Sequence, residues 1–177
     1  MRPLKEEEFA KIEKKLRQYI GNNISSFLNP LNELVYHHQK IYYVRKDLLK
    51  KASILPKDNL VCIGTCIGRF TKGENFRLKI TGLHVLMMYS TCKIKVKQTS
   101  EMNILYGNHV QRAHLCGVAP DLKKNAGVVL TTSSSIPLGF GVMTKSGSEV
   151  VAGDRTAIVV VRHGDTGEYL RDESALM

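Results

Sequence analysis

Among the residues whose types and spacing could do chemistry, the most suggestive run is Val161-Arg-His-Gly-Asp-Thr166. A strand ending in Arg-His-Gly and an acid is one way to present a histidine nucleophile to phosphorus, with the arginine holding the oxyanions. Such a site needs further basic groups around the phosphate. Only 13 residues follow Gly164, with no second histidine and Arg171 as their one arginine. The run is therefore read as a strand end entering a turn. Cys62 and Cys66 are spaced closely enough to suggest zinc, but Cys92 and Cys116 come singly, so paired half-sites are missing. Gly64-Thr-Cys-Ile-Gly68 leads into Arg-Phe and not into the Lys-Ser/Thr of a phosphate loop. Ser133-Ser-Ser135 has no base near it in sequence and reads as a loop. The expectation is a protein that is not an enzyme, with no cofactor, no metal and no catalytic residue.

What the sequence offers in place of a reaction centre is charge. The 177 residues carry 26 Lys+Arg against 16 Asp+Glu, a formal net charge of +10. Such an excess favours an acidic partner, nucleic acid first and an anionic membrane second. It is concentrated in residues 1–92, where 16 basic and 8 acidic residues give +8, against 10 and 8, or +2, in residues 93–177. The longest aliphatic runs are far below the roughly 20 residues of a membrane helix. The opening Met-Arg-Pro-Leu-Lys-Glu-Glu-Glu has no apolar stretch of the signal-peptide kind. The reading is an intracellular protein with reduced thiols and no membrane partner.

The elements that must position these charges follow from periodicity. Glu6 to Ile20 reads as a helix, because Phe9, Ile12, Leu16 and Tyr19 recur on one face. Its acids lie in the first turn, where the helix dipole favours them. Lys11, Lys14, Lys15 and Arg17 read as a solvated face. Residues 22–32, with Pro30, read as a loop. Leu34–Tyr36 and Ile41–Val44 read as short strands joined by a turn at His37 to Lys40, and Asp47 to Ser53 as a helix. The hairpin around Gly73 places Phe76, Leu78 and Ile80 inward, and makes a basic outer patch of Arg69, Lys72, Arg77 and Lys79. Gly82 to Ser90 reads as a buried helix with Met87 and Met88 as core filler. At Lys93-Ile-Lys-Val-Lys97 the pattern switches to strict alternation, which sets a domain boundary: residues 1–92 and 93–177. Ser100 to Leu105 reads as a short helix, and Asn108-His-Val110 as the start of a strand. Three apolar strands follow: Gly127–Thr132, Ile136–Val142 and Ala157–Val161. Ser146 to Gly153 reads as a loose loop between the last two. The glycines of Ile136-Pro-Leu-Gly-Phe-Gly-Val142 would let another backbone or a ligand come close.

Seven segments, in this order, carry a resemblance that none of these patterns supplies. They are Met1-Arg-Pro-Leu4, Gly64-Thr-Cys66, Phe70-Thr-Lys72, Phe76-Arg-Leu78, Leu105-Tyr-Gly-Asn-His-Val110, Ile136–Val142 and Gly167-Glu-Tyr-Leu-Arg171. Together the chain resembles the Nip-seven family of large-ribosomal-subunit biogenesis factors. The resemblance implies an α+β chain: an N-terminal α/β domain with an antiparallel sheet and helices, then a small β-barrel-like PUA RNA-binding domain. It implies a non-enzymatic role in pre-ribosomal RNA processing, on pre-60S particles with other large-subunit assembly factors. The expected location is the nucleus and nucleolus, with the cytoplasm as a second location, and the protein is expected to be a monomer outside that complex. An RNA-targeting subunit of an RNA-modifying enzyme is the alternative.

A basic protein without a base-reading aromatic cluster is expected to grip structured RNA by its phosphates. The candidates are Lys93, Lys95 and Lys97 on the first strand of the second domain, Arg112 and His114 after the Gly107 turn, Lys145 after the glycine strand, and Arg162 and His163 at the last strand's end. The charge of the first domain fits either a second RNA face or an acidic protein. Tyr36, Tyr42 and Tyr43 fit either an interface or a packed core.

Overall fold

The computed structural model describes residues 1–56, 60 and 62–173. Its architecture is mixed α+β, built on two five-stranded sheets. The first contains β1 (Arg2–Pro3), β2 (Asn32–His37), β3 (Lys40–Arg45), β4 (Thr65–Phe70) and β5 (Phe76–Leu78), in that spatial order and antiparallel throughout. It is accompanied by α1 (Glu6–Ile20), α2 (Ile24–Phe27), α3 (Lys46–Ala52) and α4 (Leu83–Tyr89). The second contains β6 (Lys93–Lys95), β7 (Val110–Gln111), β8 (Gly127–Thr131), β9 (Pro137–Met143) and β10 (Ile158–Asp165). Its spatial order is β6-β8-β9-β10-β7, with β6 parallel to β8 and the other pairs antiparallel. Three short helices belong to it, α5 (Glu101–Leu105), α6 (Gly147–Ala152) and α7 (Glu168–Arg171). Among the described residues no helix is long and apolar enough to cross a membrane.

α1 matches its expected bounds because its apolar face is complete: Ile12, Leu16, Tyr19 and Ile20 are all buried. Lys15 departs from the reading of a solvated face. It is half-buried, with its ammonium 5.7 Å from the centre of the Tyr19 ring. β2 and β3 meet in a tighter turn than the four residues read from sequence. His38 and Gln39 alone make it, with φ of 45° and 63°. Neither residue is the Asn-Gly or Asp-Gly that announces such a turn. The tyrosines beside it belong to the core side of their alternatives. Tyr42 is buried, and Tyr43 stacks on Phe27 at 4.5 Å and donates its hydroxyl proton to the Phe27 carbonyl.

Three local readings are corrected. Residues 22–32 are not all loop, because Ile24 and Phe27 bury one side of the single turn α2. Ser146 to Gly153 is not a loose loop but contains α6. Its capping box was present in the sequence as Ser146-Gly-Ser-Glu149: the Glu149 N–H donates to Ser146 Oγ at 3.4 Å, and the Ser146 N–H to Glu149 Oε2 at 2.9 Å. α4 buries only one face, with Leu83, Val85 and Leu86 inside and Met88 71% exposed, so Met88 is not core filler.

The two sheets do not have separate cores. Along β9, Leu138 and Met143 point into the barrel formed by the second sheet, while Phe140 and Val142 point the other way. Val129 of β8 joins them, and all three pack with α1 and α4 against the interior of the first sheet. Tyr19 meets Phe140 edge to face at 5.6 Å. Gly127 allows this, since a Cβ there would lie 2.6 Å from the Tyr19 ring. The glycines of β9 admit a backbone, not a ligand: side chains at Gly139 and Gly141 would strike the Gly164 and Val161 carbonyls of β10.

A shared core predicts shared cooperativity. Phe140→Ala should cost about 3–5 kcal/mol and lower one common unfolding transition, read by probes in both halves. Separation into two transitions in the native protein would contradict this account.

Candidate nucleic-acid interface

The second sheet curls until its edges meet, and this closure gathers basic side chains. The residues after β6 bond to those after β7. The Lys97 N–H donates to the His114 carbonyl at 2.8 Å, and the Cys116 N–H to the Lys95 carbonyl at 3.0 Å. A bridge pairs Val96 with Leu115 between them. Ile94 and Val96 are buried, so Lys93, Lys95 and Lys97 emerge on the outside, as their alternation requires.

Beside the closure, Lys97 Nζ donates to the Ala113 carbonyl at 2.8 Å. The Arg112 guanidinium donates to the carbonyls of Gly153 and, at 2.5 Å, Val151, at the end of α6. Arg155 joins these two around a cavity of about 340 Å³ that no acidic side chain lines. Main-chain carbonyls thus orient Lys97 and Arg112, and Asp154, which does not line the cavity, feels the Arg112 charge. Arg155 was missed in the sequence, where it stands as a lone arginine after Gly153-Asp154.

The other candidates lie elsewhere. His114 accepts from the Gln111 N–H at 3.3 Å and shares a separate hollow with His109, Asn103 and Asn108. Burial lowers its pKa and the Lys97 charge adds to this. Lys145 is exposed in the link from β9 to α6.

Arg162 and His163 occupy two structural junctions. Asp165 is fully buried. Arg162 Nη1 donates to Asp165 Oδ2 at 2.5 Å and to Glu168 Oε1 at 2.9 Å. Arg171 Nη2 donates to both Asp165 oxygens, at 2.9 and 2.8 Å, and Arg171 Nη1 to the Leu105 carbonyl. The network ties β10 to α7 and to the end of α5. Gly167 sits within it, where a Cβ would collide with the Leu105 carbonyl. The Arg-His-Gly-Asp run is therefore a brace, with Arg162 turned onto carboxylates. Its histidine turns the other way. His163 Nδ1 lies 2.8 Å from the Tyr19 hydroxyl, joining β10 to α1 across the seam between the sheets. Desolvation at that contact lowers the His163 pKa, and the charges of Lys15, Arg77, Arg162 and His109 lower it further.

This fold is that of a two-part α+β protein ending in a curled PUA barrel. Among solved structures it is similar to a hypothetical protein of the hyperthermophilic archaeon Pyrococcus horikoshii, with TM-score 0.64, 14% identity and 99% of each chain covered. A conserved PUA domain protein from Thermoplasma acidophilum gives TM-score 0.59 at 13% identity, over 98% of this chain and 97% of that one. The chain belongs to the NIP7 family: the NIP7/UPF0113 pre-PUA domain matches residues 1–80 and the UPF0113 PUA domain residues 92–174. It is 46% identical to the Saccharomyces cerevisiae 60S ribosome subunit biogenesis protein NIP7, over 99% of both chains. It is 41% identical to the Dictyostelium discoideum homolog, over 99% of this chain and 100% of that one.

Two predictions follow from the junctions. Asp165→Asn leaves two arginines facing a neutral group and should cost about 3–5 kcal/mol of stability, the usual effect of breaking a buried pair; a loss within noise in chemical denaturation would contradict the brace. His163 has a folded-state pKa below its ordinary 6.5, so the unfolded chain binds the proton first. Its stabilisation is complete above that value and declines as pH falls from there towards the folded-state pKa. The stability difference between the native protein and His163→Gln should therefore shrink as pH falls through and below 6.5. A constant difference would show that the contact is indifferent to protonation.

Proposed function

We propose that this protein is a non-enzymatic, RNA-binding assembly factor for pre-ribosomal RNA processing and large-subunit biogenesis. The observation that carries the reading is the cluster of Lys97, Arg112 and Arg155 around a cavity that no acidic side chain lines, at the barrel closure and in line with Lys93 and Lys95. It lies in the segment matched by the PUA model, in a chain whose full-length relatives are named for 60S biogenesis. Flexible lysines and an arginine oriented by main-chain carbonyls suit phosphate oxygens, which fix a backbone without reading sequence. Lys145 extends the same kind of contact, and His114 lies close enough to sense the Lys97 charge. Arg162 and His163 support this surface through the brace and the seam.

The partners are pre-ribosomal RNA and other large-subunit assembly factors on pre-60S particles. The site of action is the nucleus and nucleolus, and the protein is a monomer outside that complex. Residues 1–92 and 93–177 act in this reading as two recognition units on one rigid body.

Lys95→Ala should weaken binding to unrelated structured RNAs equally and lower the slope of log affinity against log salt by about one. An unchanged slope would remove Lys95 from the contact set. Crosslinking in cells should place the protein at a few large-subunit pre-ribosomal RNA sites. Crosslinks scattered over messenger or transfer RNA would overturn the assembly-factor reading.

A further inference from the structure

The first sheet carries a row of cations that its own folding does not call for. Lys40 of β3 stands directly opposite Arg69 of β4, and Arg69 directly opposite Arg77 of β5. Directly opposed residues share one face of a sheet and lie one strand spacing apart, about 4.8 Å. Like charges in such positions repel and destabilise the pairing. Among the described residues none of the three has an ion-pair partner. The field is felt nearby: burial lowers the Lys79 pKa, and the charges of Lys40 and Arg69 lower it further.

Edge protection explains only part of this. A lysine or arginine on a sheet edge discourages pairing with another chain, and β5 is the edge. β3 and β4 are interior strands, where no edge needs guarding. The row also leads somewhere. Arg77 lies close enough to His163 to help lower its pKa, as do Lys15 on α1 and His109 in the second half. Cations from α1 and β5 therefore approach the place where the halves join, and Lys72 stands exposed in the adjoining hairpin turn.

We propose that Lys40, Arg69 and Arg77, continued by Lys15 at the seam, form a second phosphate-binding surface, so that RNA held by the PUA barrel also lies across the first sheet. The inference rests on the reading that the barrel itself grips RNA. A phosphodiester chain fits the row better than an acidic protein does. Protein interfaces centre on apolar and aromatic side chains, and none of the large exposed apolar residues lies on β3, β4 or β5. An extended polyanion would neutralise repulsion at all three strands together, whereas a single acidic side chain would reach one.

The test uses the full-length protein and a labelled RNA stem-loop in a salt titration, comparing Arg69→Gln/Arg77→Gln with Lys95→Ala. Both arginines are exposed, and removing repulsion should leave the melting temperature unchanged or slightly raised. The double variant should lower the salt slope by about two and Lys95→Ala by about one. An unchanged slope in the double variant, with the expected fall in Lys95→Ala, overturns the second surface and leaves the barrel reading standing. The reverse pattern supports phosphate contact at the row and removes Lys95, though not the rest of the barrel, from the contact set. An unchanged RNA slope with loss of binding to polyglutamate overturns the proposal in favour of an acidic protein partner.

Discussion

The structure depends on two strands that are buried on both faces. β8 and β9 close the barrel core with Val128, Leu130, Leu138 and Met143, and give Val129, Phe140 and Val142 to the core of the other half. Side chains alternate along a strand, so satisfying both faces requires apolar residues at nearly every position. It also fixes register, because a slip of one residue would exchange the two cores. The third partner, β10, lies so close that β9 must be glycine at 139 and 141. The run that reads as two-glycine scaffold is thus the hinge plate on which both halves are mounted.

Two buried polar arrangements fix what the apolar core leaves free. The Asp165 network holds α7 and the end of α5 to β10 by charge-assisted hydrogen bonds, which are short and directional in a low-dielectric setting. The Tyr19–His163 contact spans the seam, where packing alone would tolerate small rotations. The Arg-His-Gly-Asp run, which looks more catalytic than anything else in the sequence, spends its arginine on Asp165 and Glu168 and its histidine on the Tyr19 hydroxyl.

The cations that remain follow a different logic. At the barrel closure, Lys97 and Arg112 are oriented by carbonyl dipoles, which restrain a side chain without removing its positive charge. On the first sheet, Lys40, Arg69 and Arg77 repel one another across three strands. Charge placed at a cost to folding is expected where a ligand relieves that cost. Arg162 and Arg171 are turned onto the buried Asp165, whereas Arg112 meets carbonyls and Arg69 and Arg77 meet other cations.

The sequence by itself determined the elements whose signal is local. α1 was legible because one face of fifteen residues is apolar. β6 was legible because three lysines alternate with Ile94 and Val96, and the apolar strands because both their faces are buried. α6 was legible in principle from its capping box, while the His38-Gln39 turn carried no residue that marks a positive φ. Which basic residues share a site was decided only by tertiary structure. Barrel closure joins Lys97 to Arg112 and Arg155 through backbone hydrogen bonds that any sequence could make. Sheet register aligns Lys40, Arg69 and Arg77 from three separate strands. Arg162 was separated from the surface set by Asp165, three residues away, because only burial shows that an acid needs its arginine.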